Sequence, residues 1–88
     1  IQMKITLMEL KISVVNTDTV IIKLSVDGQE MLFEAVLSSN HGINAITYPD
    51  DLVSILCRNA GEAKRLHHLI WDLKKGKPVI VPIYLGDF

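Results

Sequence analysis

The sequence predicts an α+β fold. The expected architecture is an antiparallel meander of about three to five strands, with two helices in the second half packed on one sheet face. A C-terminal strand returns to the sheet. Three observations predict this. Apolar and polar residues alternate through the first 37 residues. Asp27-Gly28, inside that region, is the turn chemistry of a two-residue hairpin. Beyond residue 50 the apolar spacing changes from period 2 to helical period.

Ile1, Met3, Ile5 and Leu7 alternate with polar residues, and then Leu10, Ile12 and Val14 carry the pattern in the opposite parity. One extra residue reverses which face is buried, so a bulge or bend is expected near Met8. Unbent, a strand of 15 residues would run about 50 Å, too long for a domain of this size. A bend or two shorter strands follow. Asn16-Thr17-Asp18 is turn chemistry.

Val20, Ile22, Leu24 and Val26 alternate again, as do Met31, Phe33, Ala35 and Leu37. A turn at Asp27-Gly28 pairs Val26 with Gln29, Leu24 with Met31, Ile22 with Phe33 and Val20 with Ala35. Apolar residues then share one face. Lys23 falls opposite Leu32, diagonal to Glu30 and Glu34 on the other face, where opposite charges attract. Turn chemistry and alternation give the same register independently.

Ser38 to Gly42 reads as a loop, and Ile43 to Tyr48 as a short strand. Pro49-Asp50-Asp51 opens a helix, with carboxylates where the dipole favours them. Leu52, Ile55, Leu56 and Ala60 form its apolar stripe, and Gly61 breaks it. A second helix, from about Glu62 to Lys75, buries Ala63, Leu66, Leu69, Ile70 and Leu73 within one arc. Gly76 and Pro78 stop it. Val79 to Leu85 reads as a strand. Pro82 has no N–H, which places that strand at a sheet edge or interrupts it with a bulge.

Composition bounds the function. The 88 residues form a single domain, 1–88, with apolar residues at 49% and charged residues at 22%, the balance of a globular chain. The longest apolar run, Val79 to Leu85, is far short of the roughly 20 residues that span a membrane. One cysteine, Cys57, excludes an intrachain disulfide and a multi-cysteine zinc site. Nothing at the N-terminus has the pattern of a signal peptide, and a reducing, cytoplasmic setting is expected. The chain opens Ile1-Gln2-Met3. Either residues precede it, or Ile1-Gln2 is an added pair before a native Met3. Charge divides the chain. Residues 1–57 carry three lysines against seven carboxylates, net −4, and residues 58–77 carry six basic residues against two carboxylates, net +4.

Trp71 is the most informative single residue. It lies opposite the apolar arc of the second helix, with Lys64, His67, His68 and Lys75 around it. His67 and Lys75 are each four residues away and within reach. Such a surface can stack a base while lysines hold phosphates, or anchor a protein interface. The plainer alternative is that this helix packs on both sides and another segment covers Trp71. His67-His68 do not chelate one ion easily, because adjacent helical residues point about 100° apart. His68 and Asp72 read as a helix pair, and no metal or other cofactor is expected. Cys57 reads as a small hydrophobe. Lys75-Gly76-Lys77-Pro78 lacks the spacing of a phosphate loop and reads as a helix end. Glu30 and Glu34 lie roughly 13 Å apart along a strand, beyond the ~5–10 Å of glycosidase pairs.

No catalytic motif emerges, and an enzyme is the third expectation. The leading one is a small non-enzymatic interaction domain that self-associates as a homodimer. The runner-up is a nucleic-acid-binding domain using the basic second helix around Trp71. Candidate partner-binding residues are Trp71, Lys64, His67, His68 and Lys75. Candidate self-association residues are Ile21, Leu32, Val36, Val79 and Val81. Self-association follows from the mean hydropathy of +0.31 and from outer strand faces that keep Ile21, Leu32 and Val36, which one layer of helices cannot cover. Val79-Ile80-Val81 adds a strand apolar on both faces. The competing expectation is that Ile1 to Leu7 folds back over the sheet and completes a monomer.

Overall fold

A computed structural model gives the fold of residues 2–88; Ile1, the first apolar position of the opening alternation, lies outside the described residues. Five strands and two helices follow in the order β1 (Lys4–Ile12), β2 (Thr19–Val26), β3 (Gln29–Asn40), β4 (Ile43–Thr47), α1 (Asp50–Leu56), α2 (Ala60–Lys74) and β5 (Ile83–Asp87). They build one antiparallel sheet in the order β4-β3-β2-β1-β5. The first four strands form a meander, and the helices carry the chain back so that β5 pairs with β1.

The parity change in β1 is a bulge. Leu7 pairs with Leu24 and Glu9 with Lys23, leaving Met8 as the extra residue. Ile5 and Leu7 before it and Leu10 after it all reach the core. One bent strand therefore serves, rather than two. It ends at Ile12, and Val14, which the alternation assigned to the strand, is 98% exposed in the following turn. There the Asn16 side chain accepts the Asp18 N–H at 2.9 Å. Residues 4–7 are held in the sheet between β2 and β5 and do not fold over it.

The Asp27-Gly28 hairpin has the expected register throughout, Val26 with Gln29 to Val20 with Ala35. Both turn residues take positive φ, 51° and 88°, the turn whose twist matches the flanking strands. Lys23 lies 3.8 Å from Glu30 across the outer face.

Four boundaries depart from expectation. Ser38, Ser39 and Asn40 are not loop: they extend β3 and pair with Ala45, Asn44 and Ile43. The loop shrinks to His41-Gly42, a second two-residue turn with φ of 52° and 78°. Gly61 does not end the first helix. α1 stops at Leu56, and the Asn59 side chain caps α2 by accepting the Glu62 N–H at 3.3 Å, so Gly61 lies in the first turn of α2. Ala60 consequently belongs to α2 and is exposed, not part of the α1 stripe. Finally, residues 79–82 form no strand; a cis Val81–Pro82 bond precedes β5, which is an edge strand.

The end of α2 follows expectation. Gly76 N–H donates to the Leu73 carbonyl and Lys77 N–H to the Asp72 carbonyl, the paired bonds that close a helix at glycine.

One core joins Ile5, Leu7, Val20, Ile22, Leu24, Phe33, Ala35 and Leu37 of the sheet with Leu52, Ile55, Leu56, Leu66 and Ile70 of the helices, and Leu85 and Phe88 close it. α2 lies against β1 and β5. Leu66 and Ile70 are buried, whereas Leu69 and Leu73 sit half-buried at its margin. Polar bonds dock the flanks of α2. Asn59 Nδ2 donates to the Asp87 carbonyl, Arg65 Nη1 to the Tyr84 carbonyl and Lys74 Nζ to the Thr17 carbonyl.

At Gly86 the backbone of β5 passes close to the Glu62 side chain of α2. The Gly86 φ is 126°, and a Cβ there would stand 3.2 Å from Glu62 Cγ. The Glu62 side chain is constrained in turn, its buried Oε2 lying 3.6 Å from Arg65 Nη1. Gly86→Ala is expected to cost about 1–3 kcal/mol through backbone strain and displaced Glu62. Urea unfolding reads this as a lower midpoint at unchanged slope; a wild-type midpoint would show that the site relaxes freely.

Candidate functional site

Two surfaces hold the candidate residues, one on the helices and one on the sheet. On the helical side, α1 and α2 meet through a turn at Cys57-Arg58, and between them runs an open groove of about 590 Å³. Val53, Leu56 and Cys57 line it from α1 and the turn, Tyr48 from the segment before α1, and Ala60, Ala63, Lys64, His67 and His68 from α2. The α2 residues recur at three and four positions, as one face of a helix must. Ala60 and Ala63 on that face have no side chain beyond Cβ, which leaves width between the helices.

The structure therefore brings together Lys64, His67 and His68 and leaves Trp71 and Lys75 out of the groove. Trp71 is half-buried and packs against the core, with its Nε1 buried and without a hydrogen-bond partner among the described residues. Its link to the groove is His67, whose ring lies 6.4 Å away. Val79 and Val81, past Gly76, are likewise half-buried at the margin of the core. Lys75 is exposed beside the helix end. The other basic groups of this region bond to the chain itself: Arg65 and Lys74 hold backbone carbonyls, and Lys77 lies 3.9 Å from Asp72. Asp72 is thus paired with Lys77 rather than reserved for His68.

Of the groove residues, Tyr48, Val53, Leu56, Cys57, Ala60 and Ala63 were missed as a site by sequence reasoning. Tyr48 lies between a strand and a proline, where no periodicity marks it. Its hydroxyl is buried without a hydrogen-bond partner among the described residues. Burial pushes its pKa up to about 12, so it is a neutral phenol at every physiological pH. Among the described residues, no three His, Cys, Asp or Glu side chains gather as metal ligands.

Burial holds His67 below the ordinary histidine value, and the adjacent His68 adds to the effect. The unfolded chain therefore binds a proton that the folded chain resists, and stability rises with pH in that window. Going down in pH, stability is expected to fall from about 6.5 to the lower folded value of His67. His67→Gln should flatten this part of the profile; equal slopes for both proteins in urea unfolding between pH 7 and 5 would contradict the assignment.

The second surface is the sheet face away from the helices. Ile21 pairs with Glu34, Leu32 with Lys23 and Val36 with Thr19. This register sets Ile21 diagonal to both Leu32 and Val36, with Glu34 between those two. Leu32 is 62% exposed and Val36 49%. Three of the five candidate self-association residues therefore share one patch. Val79 and Val81 do not join it, because they rest half-buried against the core instead of forming a strand with two apolar faces. Ile80 between them is exposed.

Known proteins add no assignment. No protein-family model matches the chain, and no curated protein matches it. Among the described residues, no helix is long and apolar enough to cross a membrane.

Proposed function

We propose that this chain is a non-enzymatic interaction domain that self-associates as a homodimer through its outer sheet face. The observation that carries the reading is the Ile21, Leu32 and Val36 patch, where Leu32 and Val36 are exposed and Ile21 half-buried on the sheet face away from the helices. Both helices contribute their buried residues to the core on the other face. Charge on this face favours a second copy over a highly charged partner. β1, β2, β3 and β5 present Lys4, Lys11 and Lys23 against Glu9, Glu30, Glu34 and Asp87, three charges of one sign and four of the other in the observed register. Two such faces meet with little net repulsion, and a two-fold axis lets each supply the same patch. A reducing, cytoplasmic setting suits the single thiol, exposed at Cys57.

The nucleic-acid reading draws less support. Trp71 is half-buried, so its ring offers little free area for stacking, and Arg65, Lys74 and Lys77 are already engaged within the chain.

Sedimentation equilibrium tests the proposal. The wild-type chain is expected at twice its 9.8 kDa mass at micromolar concentration. Leu32→Glu, a change at an exposed position, is expected to return it to the monomer with unaltered circular dichroism. A wild-type mass of one chain would overturn the reading, as would a dimer that Leu32→Glu leaves intact.

A further inference from the structure

We propose that the groove between α1 and α2 binds a small carboxylate-headed amphiphile, an apolar chain ending in one anionic group. The site lies on the opposite side of the molecule from the proposed dimer face and stands independently of it. Its volume of about 590 Å³ falls within the range of small-molecule sites, roughly 300–1,000 Å³. Val53, Leu56, Ala60 and Ala63 give it apolar walls, and these have nothing to offer a polar body. Polar groups gather on the α2 side, where Lys64 is exposed and makes no ion pair among the described residues. His67 and His68 flank it one turn further along the helix.

A single unengaged ammonium beside an apolar trough matches one carboxylate. A phosphate monoester or a polyanion would call for more cations than this rim holds. Tyr48 lines the same groove, with its hydroxyl buried and without a hydrogen-bond partner among the described residues. A partner helix is the competing occupant.

Titration of the isotope-labelled full chain with octanoate, decanoate and octylamine, followed by amide chemical shifts, tests the site. Saturable shifts are expected at residues 48–68 that line the groove. Each buried methylene is worth roughly a fourfold change in affinity, so decanoate should bind about fifteenfold tighter than octanoate. Octylamine should not compete. Lys64→Ala should weaken carboxylate binding several-fold. Ala60→Leu, at an exposed position that tolerates a larger side chain, should fill the groove and abolish binding while leaving the remaining spectrum unchanged. Shifts that do not saturate, equal binding of octylamine, affinity that ignores chain length, or an Ala60→Leu variant that binds like wild type would each overturn the proposal. Competition by an amphipathic peptide in place of the carboxylates would assign the groove to a protein partner and overturn it too. Because sedimentation reads the dimer and amide shifts read the groove, failure of either leaves the other standing.

Discussion

Phe33→Ala is expected to destabilise the domain by about 3–5 kcal/mol, close to the whole stability of a chain this size. Phe33 lies near the middle of β3, buried at 3%, and pairs with Ile22, which is fully buried. Truncation removes the largest side chain that β3 sends into the core and leaves a cavity between sheet and helices. Neighbours cannot close it easily. Ala35 is too small, and Ile22 and Leu24 are fixed by the register of the hairpin. The melting temperature should drop by roughly 12–40 °C, at 4–8 °C per kcal/mol for a domain of this length. Lys23→Ala, one pair away on the opposite face, should cost under about 1 kcal/mol, since it loses only an exposed ion pair. Protein concentration must be held constant, because a dimer makes the midpoint concentration-dependent. Comparable losses for the two variants would mean that the sheet is buried on the other face.

Leu66→Ala is expected to follow, at about 2–5 kcal/mol. Leu66 is fully buried on α2, which lies against β1 and β5. The informative control is Leu69→Ala. Both leucines belong to the same helical arc, and periodicity alone ranks them together. The structure separates them: Leu69 is half-buried at the core margin, so its truncation should cost no more than about half as much. Urea midpoints for the two variants check the difference, and equal losses would contradict the placement of α2.

Legibility in the sequence followed the range of the interactions. At the Asp27-Gly28 hairpin, turn chemistry and alternation act on adjacent residues and specify the same register, so both strands and their buried faces could be read directly. The bulge at Met8 was legible for a related reason, because the inward face of a strand must change when one residue is inserted. The second hairpin was obscured by its composition. Ser38, Ser39 and Asn40 resemble a loop, yet their backbone groups pair with β4 while their side chains remain exposed. The break between the helices was misplaced by two residues because Gly61 drew attention from Asn59, whose side chain performs the capping.

The candidate sites divided similarly. Ile21, Leu32 and Val36 are neighbours through strand register alone, and their patch was readable from the hairpin. The groove was not. It exists because α1 and α2 lie side by side, a relation that neither helix carries in its own periodicity, and Ala60 and Ala63 acquire meaning only once Val53 and Leu56 stand opposite. Trp71 misled for the converse reason. A helical wheel contains one partner surface, whereas Trp71 lies half-buried against the core from outside the apolar arc. The apolar run after Gly76 reads as a strand, but residues 79–82 form none, and Val79 and Val81 rest at the core margin.

Contacts between two copies test the central claim most directly. An equal mixture of methyl-labelled and unlabelled chains, examined by isotope-filtered nuclear Overhauser spectroscopy, detects only contacts that cross between molecules. Intermolecular signals from the methyls of Ile21, Leu32 and Val36 are expected, together with none from Val53, Val79 or Val81. Their absence at concentrations where the chain sediments as a dimer, or signals confined to Val53 and its neighbours, would place the interface elsewhere and contradict the account.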